Sequence, residues 1–363
     1  MATIERYETK TKGTLWRVRY RTPDRTQTME RGFRTKRDAK EWWSITEESM
    51  RKGEFVPKAA GLVSLGEISE LWFDTKAHRK ATTRNNYRQA LDKHVLPKWG
   101  ERQISSITYG QVQAWINDMS STLAASSVRP PYIALTGIFK YAIRDGRVSK
   151  SPCDGVELPS MTKSAHAYLT HQQVKFLASK TQSYGDVILF LALTGLRLGE
   201  MAALRVRDVD FAKRRINVER AVSDVRGELV WDTPKANERR KVPMAQTLAD
   251  VLHRHTKGKA LDDLVFTAPE GGVLRHANFR QRYFNKAVKL AMSADPLFPR
   301  LTPHDLRHTA ASLAVSAGAN VKAIQRMLGH KDASVTLNTY ADLFEDDLDL
   351  LADALDAAHS KAA

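Results

Sequence analysis

The chain has 363 residues, with 57 lysines and arginines against 41 aspartates and glutamates, a net charge of +16. A hydrophobic fraction of 42% beside 27% charged residues suits a soluble globular protein and excludes a collagen-like or wholly disordered chain. No apolar run approaches the roughly 18 residues that cross a bilayer, the opening MATIERYETK lacks the apolar stretch of a secretory signal, and Cys153 has no second cysteine to pair with, so a cytoplasmic protein held by packing alone is expected. The excess of positive charge runs through residues 1–60, 61–165 and 166–341 and reverses only in 342–363. Such a field points to a polyanion, nucleic acid first, with surplus surface lysine for solubility as the blander alternative.

Near the amino terminus, Trp16, Val18 and Tyr20 alternate with Arg17, Arg19 and Arg21, which predicts a strand with one buried face and one arginine face. A turn at Thr22–Asp24, a second strand over 27–33 and a helix over 36–52 complete a small sheet-plus-helix unit. The helix's apolar side is Ala39, Trp42, Trp43, Ile45 and Met50. The arginine face could be merely solvated, but it also suits a DNA groove. A linker rich in glycine, proline and small residues follows at Gly53–Leu62. Four helices are then predicted: one after Ser64 (Leu65, Ile68, Leu71, Trp72), one after Thr82 or Thr83, one capped by Thr108 with Gln111, and one after Ser126 or Ser127 with Pro130 and Pro131 in or near its first turn.

Asp145 and Gly146 end that stretch, and 151–165 reads as a second linker. Beyond it, Thr170 and Gln173 cap a helix and Asp186–Leu193 reads as a buried one. Short β-like runs at Arg215–Val222, Glu228–Asp232 and Arg240–Met244 flank the basic hairpin PKANERRK, and helices resume from about Gln246. One small antiparallel sheet in a mostly helical domain is expected.

Five signals in this last region carry chemistry. Arg197 lies in TGLRLGE with Glu200 three residues on, a spacing at which the two can pair. Lys235 sits at the hairpin tip, where a solvated turn lysine is the ordinary reading. His304, Arg307 and His308 lie in LTPHDLRHTAAS, His330 in MLGHKD behind a helix over 321–328, and Tyr340 in VTLNTYADL, where a tyrosine among apolar residues is ordinarily packing.

Taken in order, this set resembles the tyrosine recombinase family, and the phage integrases within it, residue by residue: Arg197, Lys235, His304, Arg307, His330 and Tyr340. The resemblance implies a multidomain, mainly α chain. Residues 1–56 would be a three-stranded arm-type DNA-binding domain using Arg17, Arg19 and Arg21, and 57–63 a linker. Residues 64–150 would be a helical core-site DNA-binding domain, 151–165 a linker, 166–345 the catalytic domain and 346–363 an acidic tail. It implies recombination of double-stranded DNA at core-type and arm-type attachment sites by a homotetramer. A host DNA-bending protein and an excision directionality factor would assist, with no membrane and no cofactor.

Chemistry assigns roles to the same residues. Two guanidiniums, Arg197 and Arg307, can grip the nonbridging oxygens of a phosphodiester as charge grows on them. Tyr340 would be the nucleophile, forming a 3′-phosphotyrosine and conserving the bond energy. Lys235 suits a general acid for the leaving oxygen, His304 an acceptor for the tyrosine proton and His330 a donor to the phosphate. Glu200 would buttress the active-site helix, and no metal is needed. Rivals are a zinc hydrolase, since His304 and His308 stand four apart but Asp305 replaces the required glutamate, a non-catalytic DNA-binding regulator, a resolvase-type recombinase and a type IB topoisomerase. The tail places Leu343, Phe344, Leu348, Leu351 and Leu355 opposite Glu345, Asp346, Asp347, Asp349 and Asp353, an amphipathic helix with a face to bury, either within its own domain or, as the family resemblance implies, on a neighbouring protomer.

Overall fold

A computed structural model describes residues 2–9, 11, 13–161, 167–234, 239–340 and 359–360. Lys235 with its hairpin tip, part of the second linker and nearly all of the acidic tail lie outside the described residues. The chain divides into two compact units, Met1–Thr162 and Lys163–Ala363.

The first unit opens with an antiparallel sheet of β1 (Thr3–Thr9), β2 (Gly13–Arg21) and β3 (Gln27–Phe33) in that order. The β1 sequence carries no strand signal, because Ile4 and Tyr7 stand three apart and break the two-residue period. Its pairing with β2 makes it a strand, Ile4 standing opposite Val18. Val18 and Tyr20 are buried against α1 (Lys36–Arg51), whose Trp42 and Trp43 rings lie 5.5 and 5.4 Å from the Tyr20 ring. Thr35 and Asp38 close a capping box at the start of α1. Ile45, expected on the packed side, is instead exposed.

A separate apolar core is built by four helical rods. These are α2 (Leu65–Asp74), α3 (Ala81–Ala90) continued through one π turn at Leu91–Val95 into α4 (Leu96–Trp99), α5 (Tyr109–Thr122) and α6 (Ala125–Arg144). Ser64 with Glu67 and Thr108 with Gln111 cap α2 and α5 as their spacing predicts. Two starts differ from expectation. The caps of α3 and α6 are Lys80 and Ala124, neither with a side-chain capping bond, so Pro130 and Pro131 fall in the second turn of α6. The Ser127 and Val128 amides already bond to the Ala124 carbonyl, which fixes that early start by backbone alone. Leu71 lies outside the core, 45% exposed. The expected linker at 57–63 contains a 3-10 turn, Lys58–Leu62, whose Gly61 carbonyl accepts from Ser105 Oγ at 2.7 Å.

The second unit contains α7 (His171–Ser179), α8 (Gly185–Thr194), α9 (Leu198–Ala202), β4 (Val209–Asp210), β5 (Arg215–Val218), β6 (Ala221–Val225), β7 (Glu228–Asp232) and β8 (Arg240–Pro243). It continues with α10 (Gln246–Thr256), then α11 (His276–Asn278) running through a π turn at Phe279–Phe284 into α12 (Asn285–Ala294). The last elements described as helix in this unit's core are α13 (Asp305–Ser316), α14 (Val321–Leu328) and α15 (Ala333–Tyr340). Two sheets form here instead of the single one expected: β4-β5-β8, and the hairpin β6-β7. The run read as one strand breaks at Glu219 and Arg220, where Arg220 turns to bond Asp208 at 2.5 Å. The apolar α8 is wrapped on nearly all sides, with Ile188, Phe190 and Leu191 in the core.

In the helical core a Cβ on Gly137 would stand 2.7 Å from Trp72 Cζ2. Gly137→Val should therefore destabilise the helical core by about 2 kcal/mol or more through overpacking. Guanidinium unfolding followed by tryptophan fluorescence checks this, since Trp72, Trp99 and Trp115 all lie in that core.

Candidate active site

The second unit's chemistry-bearing residues converge where the carboxyl ends of α8 and α14 meet the start of α9 and one turn of α13. Gly195 ends α8 in a left-handed conformation (φ 65°), and a Cβ there would meet Leu328 Cδ2 at 2.6 Å, so glycine lets the two helix ends touch. Into that junction α13 sends Arg307, 3% exposed. Its Nη1 donates to the Gly195 carbonyl at 2.6 Å and its Nη2 to the Leu328 carbonyl. Both carbonyls belong to helix carboxyl ends, where the dipole is negative and a cation is favoured. Burial, then the neighbouring Arg197, pushes the Arg307 guanidinium down to about 9, which still leaves it charged at neutral pH.

Arg197 sits at the amino-terminal cap of α9, and its Nη1 donates to Glu200 Oε1 at 2.8 Å. Glu200 also accepts from the Arg197 amide at 2.9 Å and from both Nη atoms of Arg240, at 3.1 and 2.7 Å. Burial alone would raise this carboxyl, but the Arg240 and Arg197 cations outweigh it and hold Glu200 below the usual carboxylate range. Arg240 then donates from Nε to the Met327 carbonyl at 2.8 Å, tying β8 to the last turn of α14. In sequence Arg240 lies in the basic hairpin PKANERRK and opens the β-like run Arg240–Met244, with no role in the site expected of it. The available signal was the two-residue period that puts Arg240 on the same strand face as buried Val242 and Met244.

Gly329, also left-handed (φ 65°), turns the chain from α14 to His330. His330 Nδ1 lies 2.9 Å from Thr336 Oγ1, and its ring is nearly parallel to Tyr340, 13° apart at 6.5 Å. Burial first, then Arg307 and Arg197, lowers His330 to about 4, so its imidazole is neutral at physiological pH. Tyr340 is 1% exposed, and burial pushes its hydroxyl up to about 12 despite the opposing pull of Arg307. Its hydroxyl partner is not His304, the acceptor proposed from sequence, but His308, whose Nδ1 is 3.0 Å away. His304 is exposed at the start of α13 and meets the His308 ring edge-on at 5.1 Å.

The structure thus gathers Arg197, Glu200, Arg307, His330 and Tyr340, keeps His304 at the rim, and adds Arg240, His308 and Thr336. Lys235 lies outside the described residues. A cavity of about 410 Å³ beside His330, lined by Arg239, Arg240, Lys241 and Arg326 among others, presents cations to anything entering. Residues 167–346 match the phage integrase family, and residues 64–120 match the phage integrase N-terminal SAM-like domain.

The chain belongs to the phage integrase family. It is a tyrosine site-specific recombinase by that membership, and its mainly helical, multidomain fold agrees. It is 29% identical to the transposase from transposon Tn916 of Enterococcus faecalis, with 76% of this chain and 73% of the relative aligned. It is 28% identical to the ICEBs1 integrase of Bacillus subtilis, with coverage of 75% and 76%. A solved structure of the Tn1549 transposon integrase in complex with transposon right end DNA shares the fold, with a TM-score of 0.69 at 23% identity, covering 80% of this chain and 100% of that one.

Two outcomes follow from the buried charges. Arg240→Met leaves Glu200 buried with one cation in place of two, and should cost about 3 kcal/mol of unfolding free energy, measured by chemical denaturation. His330 resists protonation down to about pH 4, whereas an unfolded histidine protonates near 6.5. The stability tied to neutral His330 is therefore complete above about 6.5 and lost as pH falls toward 4. His330→Asn should flatten the fall in melting temperature across that window.

Proposed function

We propose that this chain integrates phage or mobile-element DNA by cutting and rejoining strands through a 3′-phosphotyrosine on Tyr340. The observation that carries the reading is that Arg197, Arg307, His330 and Tyr340, far apart in sequence, meet in one positively charged cluster, Arg307 and Tyr340 buried and Arg197 and His330 half-buried. Arg197 and Arg307 would clamp the nonbridging oxygens, with charge-assisted bonds that strengthen as the pentacoordinate phosphorus forms. His330, a neutral imidazole whose Nδ1 meets Thr336 Oγ1, would donate to the same phosphate from Nε2, and His304 at the rim would complete its contacts. Lys235 would protonate the leaving 5′ oxygen. Glu200, with Arg240, fixes where Arg197 points. No cofactor is required, because the phosphotyrosine bond stores what religation uses.

Joining two duplexes means cutting four strands, each by one tyrosine, which supports a homotetramer on paired sites. The helical rods of the first unit suit core-type sites. Arg17, Arg19 and Arg21 share the sheet face turned away from α1 and suit arm-type DNA, although Arg17 also donates to Glu5 from Nε and Nη2 at 3.2 and 2.9 Å. A host bending protein and an excision directionality factor would complete the reaction in the host cytoplasm, and the acidic tail would dock between protomers. Among the described residues no helix is long and apolar enough to cross a membrane.

Tyr340→Phe should bind DNA normally and form no covalent adduct on a nicked core site, read as a shifted band on a denaturing gel. Arg307→Lys keeps the charge but loses the two-pronged grip, and should slow adduct formation by about 10²-fold or more. Deleting residues 1–56 should remove protection of arm-type DNA in footprinting while core-type protection persists.

A further inference from the structure

We propose that His308 is a further catalytic residue, its Nδ1 taking the Tyr340 proton as the phenolic oxygen attacks phosphorus; this rests on the phosphotyrosine reading above. The His308 ring meets the Tyr340 ring at 60° with centroids 5.7 Å apart, and Nδ1 stands 3.0 Å from the hydroxyl. Both side chains are buried, so the bond is shielded from competing water. His308 follows Arg307 directly on α13, so the turn that places the phosphate clamp also places the base.

The other histidines are less well placed. His330 spends Nδ1 on Thr336 and lies flat along the tyrosine ring, and His304 reaches the His308 ring and is exposed. A base is needed, because a hydroxyl at about 12 is ionised in only roughly one molecule in 10⁵ at pH 7. The groups facing the pair are Arg307 on α13 and Tyr168 before α7, which act on Tyr340, His304 on α13, whose ring meets His308, and His330 after α14, whose ring lies along Tyr340; Arg197 on α9 and Arg240 on β8 act on His330.

The step balances. The Tyr340 Oη–P bond forms, the P–O5′ bond breaks, the tyrosine proton moves to His308, and the leaving oxygen takes a proton from the general acid assigned to Lys235. Religation runs it backwards, with His308 returning the proton to the phenolate.

The test is single-turnover adduct formation by the full-length chain on a nicked duplex carrying its core site, recovered by selection from random DNA, between pH 6 and 10. His308→Asn should bind that DNA like the parent and form adduct about 10²-fold more slowly near pH 7. The deficit should shrink as pH rises and hydroxide ionises the tyrosine directly. His308→Gln carries the same expectation. Equal rates at pH 7, or a deficit that stays constant through pH 10, would overturn the assignment. In the unaltered protein, selective ¹⁵N-histidine labelling should show His308 Nδ1 without a proton; a protonated Nδ1 would equally overturn it. A parent chain that forms no adduct, or a Tyr340→Phe chain that still does, would instead sink the phosphotyrosine reading itself.

Discussion

The second unit depends on a guanidinium placed where two helices end. Arg307 donates to the last carbonyls of α8 and to those of α14, groups that no helix can satisfy internally. Without that cation, two helix carboxyl ends would face each other in a dry junction. With it, they form the floor of the site. Gly195 and Gly329 are the complementary requirement, because each ends its helix in a left-handed turn against a neighbour that leaves no room for a Cβ.

A second charged arrangement organises the walls. Glu200 holds Arg197 and Arg240, and Arg240 reaches on to the Met327 carbonyl, so α9, β8 and the end of α14 are linked through one buried carboxylate. Two guanidiniums bond a single carboxylate and a third, Arg307, lies close enough to interact with it, an imbalance costly in a buried place unless an anion completes it. Burial first, and then the same excess of positive charge, keeps His330 neutral. Preorganised donors of this kind cost no rearrangement as charge develops on the reacting group. Tyr340 is almost wholly enclosed, with its hydroxyl held at His308 Nδ1.

Local signals made much of the architecture legible. The capping boxes at Ser64, Thr108 and Thr170 mark helix starts because the bonds involved join residues only three apart. The helix over 321–328 and the strand over 228–232 have the bounds that their periodicity predicts. Where no side chain caps the helix, as before α3 and α6, the expected start slipped by two or three residues. The first strand could not be read from its own pattern, only expected from the resemblance to a three-stranded domain, since its order comes from pairing with β2.

For the site, residue types and their order pointed to the family and to Arg197, Lys235, His304, Arg307, His330 and Tyr340, with Glu200 in support, as candidates, because that chemistry demands particular groups and the sequence displays them. Tertiary structure alone decided what each group touches. Arg240 lies 40 residues from Glu200, and His308 lies 32 residues from Tyr340. Nothing in either local stretch states that distant partner. Spacing along one helix can be read from sequence, since covalent geometry fixes it, but a hydrogen bond between elements depends on how helices and strands pack around a shared core. That packing made His308, and not His304, the neighbour of the tyrosine hydroxyl.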